Sequence, residues 1–84
     1  MTRITLKLFA GLGDYLPAGT RDNRVELDIE ESETVEDVLR RHQIPGHLVH
    51  LVLVNGVYIP PAARATQGLE PGDQLAVWPP IAGG

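Results

Sequence analysis

Residues 24–42 read RVELDIEESETVEDVLRRH, and the hydrophobic period changes in the middle of them. Val25, Leu27 and Ile29 alternate with Arg24, Glu26, Asp28 and Glu30, the pattern of a strand with one side on a core and the other in solvent. From Thr34 onward the spacing becomes helical, with Val35, Val38 and Leu39 on one face. Thr34 stands where its hydroxyl caps free amides, and Asp37 takes the place that a capping box gives to Glu. Glu33, Glu36 and Asp37 lie at the positive start of the helix and Arg40, Arg41 and His42 at its negative end, which suits the macrodipole at both. Ile44, Pro45 and Gly46 end it.

Working outward from this strand and helix gives the rest of the order. Upstream, RITLKLFA (3–10) alternates with Ile4, Leu6 and Leu8 in one phase and Thr5, Lys7 and Phe9 in the other, which predicts a first strand that pairs with 24–30 as a hairpin. The segment between them, GLGDYLPAGTRD (11–22), reads as a loop. Gly11 and Gly13 in it read as a flexible connection, because no lysine and no following helix supports a phosphate loop. Downstream, LVHLVLVNGVYI (48–59) is rich in β-branched residues and contains Asn55-Gly56, a strong hairpin signal, so two further strands pair there. Pro60-Pro61 stops the second of these, a loop follows to Leu69, Pro71-Gly72 is a tight turn, and QLAVW (74–78) is the last strand. Strand, strand, helix, strand, short strand, strand describes an α+β domain, a five-stranded mixed sheet with one main helix on one face. This is the β-grasp, or ubiquitin-like, arrangement, with 1–78 as the domain and 79–84 as an extended tail.

The composition narrows what such a domain does. A chain of 84 residues has room for one small core and none for a large enclosed active site. With 11 acidic and 7 basic residues, its net charge of −4 repels phosphate backbones and anionic lipid, so neither nucleic acid nor membrane is expected as a partner, whereas basic proteins are attracted. The absence of cysteine excludes disulfides, thiolate metal sites and a nucleophilic thiol within the chain. No basic start precedes a long apolar run, so a cytoplasmic location is expected. His47 and His50 read as surface residues entering a strand, His42 serves the helix end, and no metal is expected. No Ser-His-Asp set is discernible, and the domain alone is not expected to be an enzyme. The acidic run from Asp28 to Asp37 reads as a solvated face, the alternative being an encounter surface for a basic partner.

Phe9-Ala10 near the start, a helix opening TVEDVL, then VLVNG and finally LEPGDQLAVWPPIAGG resemble the ThiS/MoaD family of small ubiquitin-like sulfur carriers. The resemblance covers nearly the whole chain, and its ending is most similar to the molybdopterin-synthase small-subunit branch. It implies that the Gly84 carboxyl is adenylated by an E1-like (MoeB/ThiF-like) enzyme that consumes ATP, with no cofactor bound to the carrier. The adenylate then becomes a thiocarboxylate with sulfur from a donor protein's persulfide. The implied acceptors are the large subunit of molybdopterin synthase (MoaE-like) or, alternatively, a thiazole synthase of the thiamine pathway. A ubiquitin-like modifier conjugated to lysines is a further alternative, and a plain interaction domain a third.

The residues suit that chemistry. Gly83 and Gly84 lack a Cβ and allow close approach in a narrow channel, with Ala82 and Ile81 before them. Pro79 and Pro80 stiffen the tail where it leaves the last strand. Six extended residues reach roughly 20 Å. If Leu75 and Val77 face the helix, then Ala76 and Trp78 face the other way, as do Leu53 and Phe9. Phe9, Leu53 and Trp78 are therefore expected to form an exposed apolar patch beside the tail that docks partner enzymes, the alternative being that Trp78 is ordinary packing at a sheet edge.

Overall fold

The computed structural model describes residues 1–80. The chain forms β1 (Thr2–Leu8), β2 (Arg24–Ile29), α1 (Val35–Arg41), β3 (Leu51–Val54), β4 (Val57–Tyr58) and β5 (Gln74–Trp78). They build one five-stranded sheet in the order β2-β1-β5-β3-β4, in which β1 and β5 run parallel and every other neighbouring pair antiparallel. The expected α+β, mixed-sheet β-grasp architecture is the one observed.

The alternation in the sequence sets which side of the sheet is covered. Ile4, Leu6 and Leu8 of β1, Val52 of β3 and Leu75 and Val77 of β5 are almost wholly excluded from solvent, and they meet Val35, Val38 and Leu39 of α1 in one core. Val25 and Leu27 of the outer strand β2 are only partly covered, while Ile29 is fully so. α1 begins with the capping box read from the sequence: the Asp37 N–H donates to Thr34 Oγ1 at 3.3 Å and the Thr34 N–H to Asp37 Oδ2 at 3.0 Å. Two more amides of its first turn are satisfied from the loop after β4, since Val35 N–H donates to the Gln67 carbonyl and Glu36 N–H to the Arg64 carbonyl.

Several boundaries differ from expectation. β1 ends at Leu8, and the segment read as a flexible connection starts with a 3₁₀ helix, Ala10–Tyr15. Leu12 and Leu16 explain this: both are buried in the core cluster, so the segment is a lid on the end of the sheet that packing holds in place. Residues Gly46–Leu48 form a single 3₁₀ turn, and β3 starts only at Leu51.

Candidate functional site

The end of β5 is held from both sides before the tail begins. Phe9 N–H donates to the Val77 carbonyl at 3.0 Å from the β1 side, and His50 N–H donates to the Trp78 carbonyl at 3.0 Å from the β3 side. Pro79 and Pro80 then bring no N–H, so the ladder has no donor with which to continue. The chain departs from the middle of the sheet, with Pro79 half-buried and Pro80 exposed. The remaining predicted tail residues, Ile81, Ala82, Gly83 and Gly84, lie outside the described residues.

The sheet face turned away from α1 is divided in two. Across β1 and β2 it is polar, with Arg3 opposite Asp28, Thr5 opposite Glu26 and Lys7 opposite Arg24. Across β5, β3 and β4 it is apolar, with Trp78 opposite Leu51, Ala76 opposite Leu53, and Leu53 opposite Tyr58. The patch of Phe9, Leu53 and Trp78 is thus brought together on this face, but as half-buried surface and not the exposed one expected. The reason is mutual cover: the rings of Phe9 and Trp78 stack with centroids 4.3 Å apart and planes 6° from parallel. Trp78 sits on a central strand and not at a sheet edge, and its stack with Phe9 is packing within the chain. Leu51 completes the apolar half; the phase that put Leu53 outward extends to it. Tyr58 is the most open aromatic of the half, at 51% exposure.

The acidic run is largely matched by the chain's own arginines. Asp28 receives a two-pronged contact from Arg3, Nε and Nη2 each at 3.0 Å, and this hydrogen bonding holds its carboxyl below the usual carboxylate range. Glu33 pairs with Arg41 and Glu36 with Arg40, while Asp37 caps α1, and its hydrogen bonds from Thr34 lower its pKa as well. Glu30 and Glu31 remain exposed. His47 and His50 are exposed as expected, His42 Nδ1 lies 3.0 Å from the Val38 carbonyl, and no metal-binding cluster occurs among the described residues.

One residue of this region gave no signal in the sequence. Arg64, in the loop after β4, is buried, and its guanidinium donates to the carbonyls of Ile59 (3.2 Å), Val49 (3.3 Å) and His50 (3.1 Å). It makes no ion pair among the described residues.

The β-grasp sheet and the central exit of its last strand agree with a match between residues 7–84 and the model of the ThiS family. The chain belongs to the ThiS family. None of the curated proteins matches this ThiS-family chain by sequence. Among solved structures, it is similar to small archaeal modifier protein 1 of Haloferax volcanii, at 25% identity and a TM-score of 0.67, over 96% of this chain and 100% of that one. It shares the fold of a protein from Pyrococcus furiosus described as molybdopterin converting factor, subunit 1 (23% identity, TM-score 0.65, 96% of this chain and 100% of that one). It likewise shares the fold of the thiamine biosynthesis protein ThiS of Geobacter metallireducens (18% identity, TM-score 0.60, 95% and 99%). Three differently named functions therefore rest on one ubiquitin-like fold.

Proposed function

We propose that this ThiS-family protein is a sulfur carrier whose reactive group is the carboxylate of Gly84. The observation that carries this reading is that the family match runs through residue 84 and so takes in the whole WPPIAGG stretch. In the proposed cycle an E1-like enzyme adenylates the carboxylate with ATP, which turns a poor electrophile into one with a leaving group. The terminal sulfur of a donor persulfide then attacks the adenylate and expels AMP, and a second thiol of the partner proteins reduces the resulting acyl disulfide and is itself oxidised to a disulfide. The thiocarboxylate so released passes its sulfur to a synthase, that of molybdopterin being favoured over that of thiazole by the Pro-Pro-x-Ala-Gly-Gly ending. Without cysteine, the chain has no thiol on which to carry sulfur. Catalysis lies with the partners; the fold is a handle and Pro79–Gly84 an arm. Phe9, Leu51, Leu53 and Trp78 beside the arm supply the apolar docking surface.

Intact-mass measurement on protein purified from its native host tests the reading, with one terminal oxygen replaced by sulfur as the expected form. A terminus that stays a carboxylate in the presence of the activating enzyme, ATP and sulfur donor would refute it. The similarity to a small archaeal modifier supports a second reading, in which the activated Gly84 forms an amide with target lysines. Lysine-linked conjugates in the same preparation would favour that one.

A further inference from the structure

We propose that Arg64 is a positioning residue for activation of Gly84, fixing the root from which the tail departs; this rests on the carrier function proposed above. The geometry runs through a single peptide unit. The carbonyl of Val49 and the N–H of His50 belong to the same planar trans amide, so they point in opposite directions. The carbonyl accepts from Arg64 Nη1 at 3.3 Å, and the N–H donates to the Trp78 carbonyl at 3.0 Å. A cation on the carbonyl side polarises the amide and strengthens its N–H as a donor. That N–H makes the hydrogen bond on the β3 side of the last residue before Pro79 and Pro80, neither of which donates.

Arg64 is itself fixed from two further directions. Its carbonyl accepts the Glu36 N–H of α1 at 3.0 Å, and its Nε donates to the Ile59 carbonyl at the end of β4 at 3.2 Å. Nη2 holds the His50 carbonyl at 3.1 Å, so the residue that grips Trp78 is gripped on both of its flanking amides. Three carbonyls from two segments, met by one planar fork, are a task for guanidinium and not for ammonium. With no carboxylate partner among the described residues, the charge is directed at backbone carbonyls, two of the three on the segment that holds Trp78.

A merely structural Arg64 would, when replaced, lower global stability and leave the folded fraction fully active. A positioning Arg64 separates these effects. In Arg64→Met, amide exchange of His50 is expected to accelerate about tenfold beyond any change in global opening, while Leu6 and Leu75 keep their protection. Adenylation by the native E1-like enzyme is expected to lose about tenfold in kcat with KM within about twofold, because the docking face is intact. Arg64→Lys, which retains charge without the fork, is expected to fall between, and it carries both measurements if the Met variant does not fold. Unchanged His50 exchange, or kcat equal to that of wild type per folded molecule, overturns the proposal. A wild-type chain that the activating enzyme leaves unmodified overturns instead the carrier reading on which it rests.

Discussion

Asn55 takes a left-handed backbone (φ 51°) beside Gly56 (φ 83°), the pair that a two-residue type I′ hairpin turn requires. Its side chain also latches the turn to the start of β5: Asn55 Nδ2 donates to Asp73 Oδ1 at 2.8 Å, and Gln74 N–H donates to Asn55 Oδ1 at 2.9 Å. Asn55→Gly keeps the backbone and loses the latch, an expected cost of about 1 kcal/mol in urea unfolding. Asn55→Ala adds the left-handed penalty, and about 2 kcal/mol is expected. An Ala variant as stable as the Gly variant would remove the backbone from this account. The turn was legible in the sequence, because Asn-Gly is a local signal. The latch was not, and neither was Arg64, since both join residues that only the folded chain brings together. The Phe9–Trp78 stack lies between these cases: period-two phase placed both rings on one face, but the parallel pairing of β1 with β5 decides that they touch. A double-mutant cycle on these two rings is expected to give a coupling of about 1 kcal/mol, and additive single mutants would mean that the stack contributes nothing beyond burial.

At the scale of elements, α1 shows how much local chemistry a short helix needs. Seven residues are too few to be stable alone, so its capping box and the two amides held by the Gln67 and Arg64 carbonyls are substantial parts of its stability. Thr34→Ala is expected to cost about 1 kcal/mol by chemical denaturation. The cap is also pH-dependent. Asp37 is lowered from its ordinary value of 3.8, first by its bond from the Thr34 backbone N–H and then by the Thr34 side chain. A folded-state value below the unfolded one gives stability that is fully present above the unfolded value and is lost as pH falls through the folded one. Urea midpoints should therefore fall with acidity below about pH 4, and Asp37→Asn should flatten part of that slope, leaving the share that belongs to Asp28 and Arg3. An unaltered slope in Asp37→Asn would show that the carboxylate does not support the cap. α1 was readable because caps, charges and apolar positions all agreed over 34–42. The 3₁₀ helix Ala10–Tyr15 was not, because one buried Leu12 within it and a buried Leu16 just after it, among glycines, show no period.

For the molecule as a whole, the proposed function separates recognition, on the apolar half of the outer sheet face, from chemistry at Gly84. The chain's seven basic residues include a single lysine, Lys7, whose Nζ donates to Gln74 Oε1 at 2.8 Å on the polar half. A modifier that extended itself into chains through side-chain amines would have this amine alone, so self-conjugates through lysine should disappear in Lys7→Arg while transfer to other proteins continues. The apolar half lies beside the root of the tail, and the two parts are expected to fail differently. Leu53→Glu puts a charge among Ala76 and Tyr58 without touching the core, so a folded protein with KM for adenylation raised about tenfold and kcat little changed is expected. One residue appended after Gly84 leaves the proposed docking face whole and blocks the proposed reactive end, so binding to the activating enzyme should persist while adenylation stops. Binding isotherms and single-turnover adenylation of both variants make the comparison, with thermal melts confirming that each is folded. If Leu53→Glu lowers kcat with KM unchanged, the apolar half acts on the chemistry and not on docking. If the extended chain is adenylated, the reactive group is not the Gly84 carboxylate, and the separation of handle from arm fails at the arm.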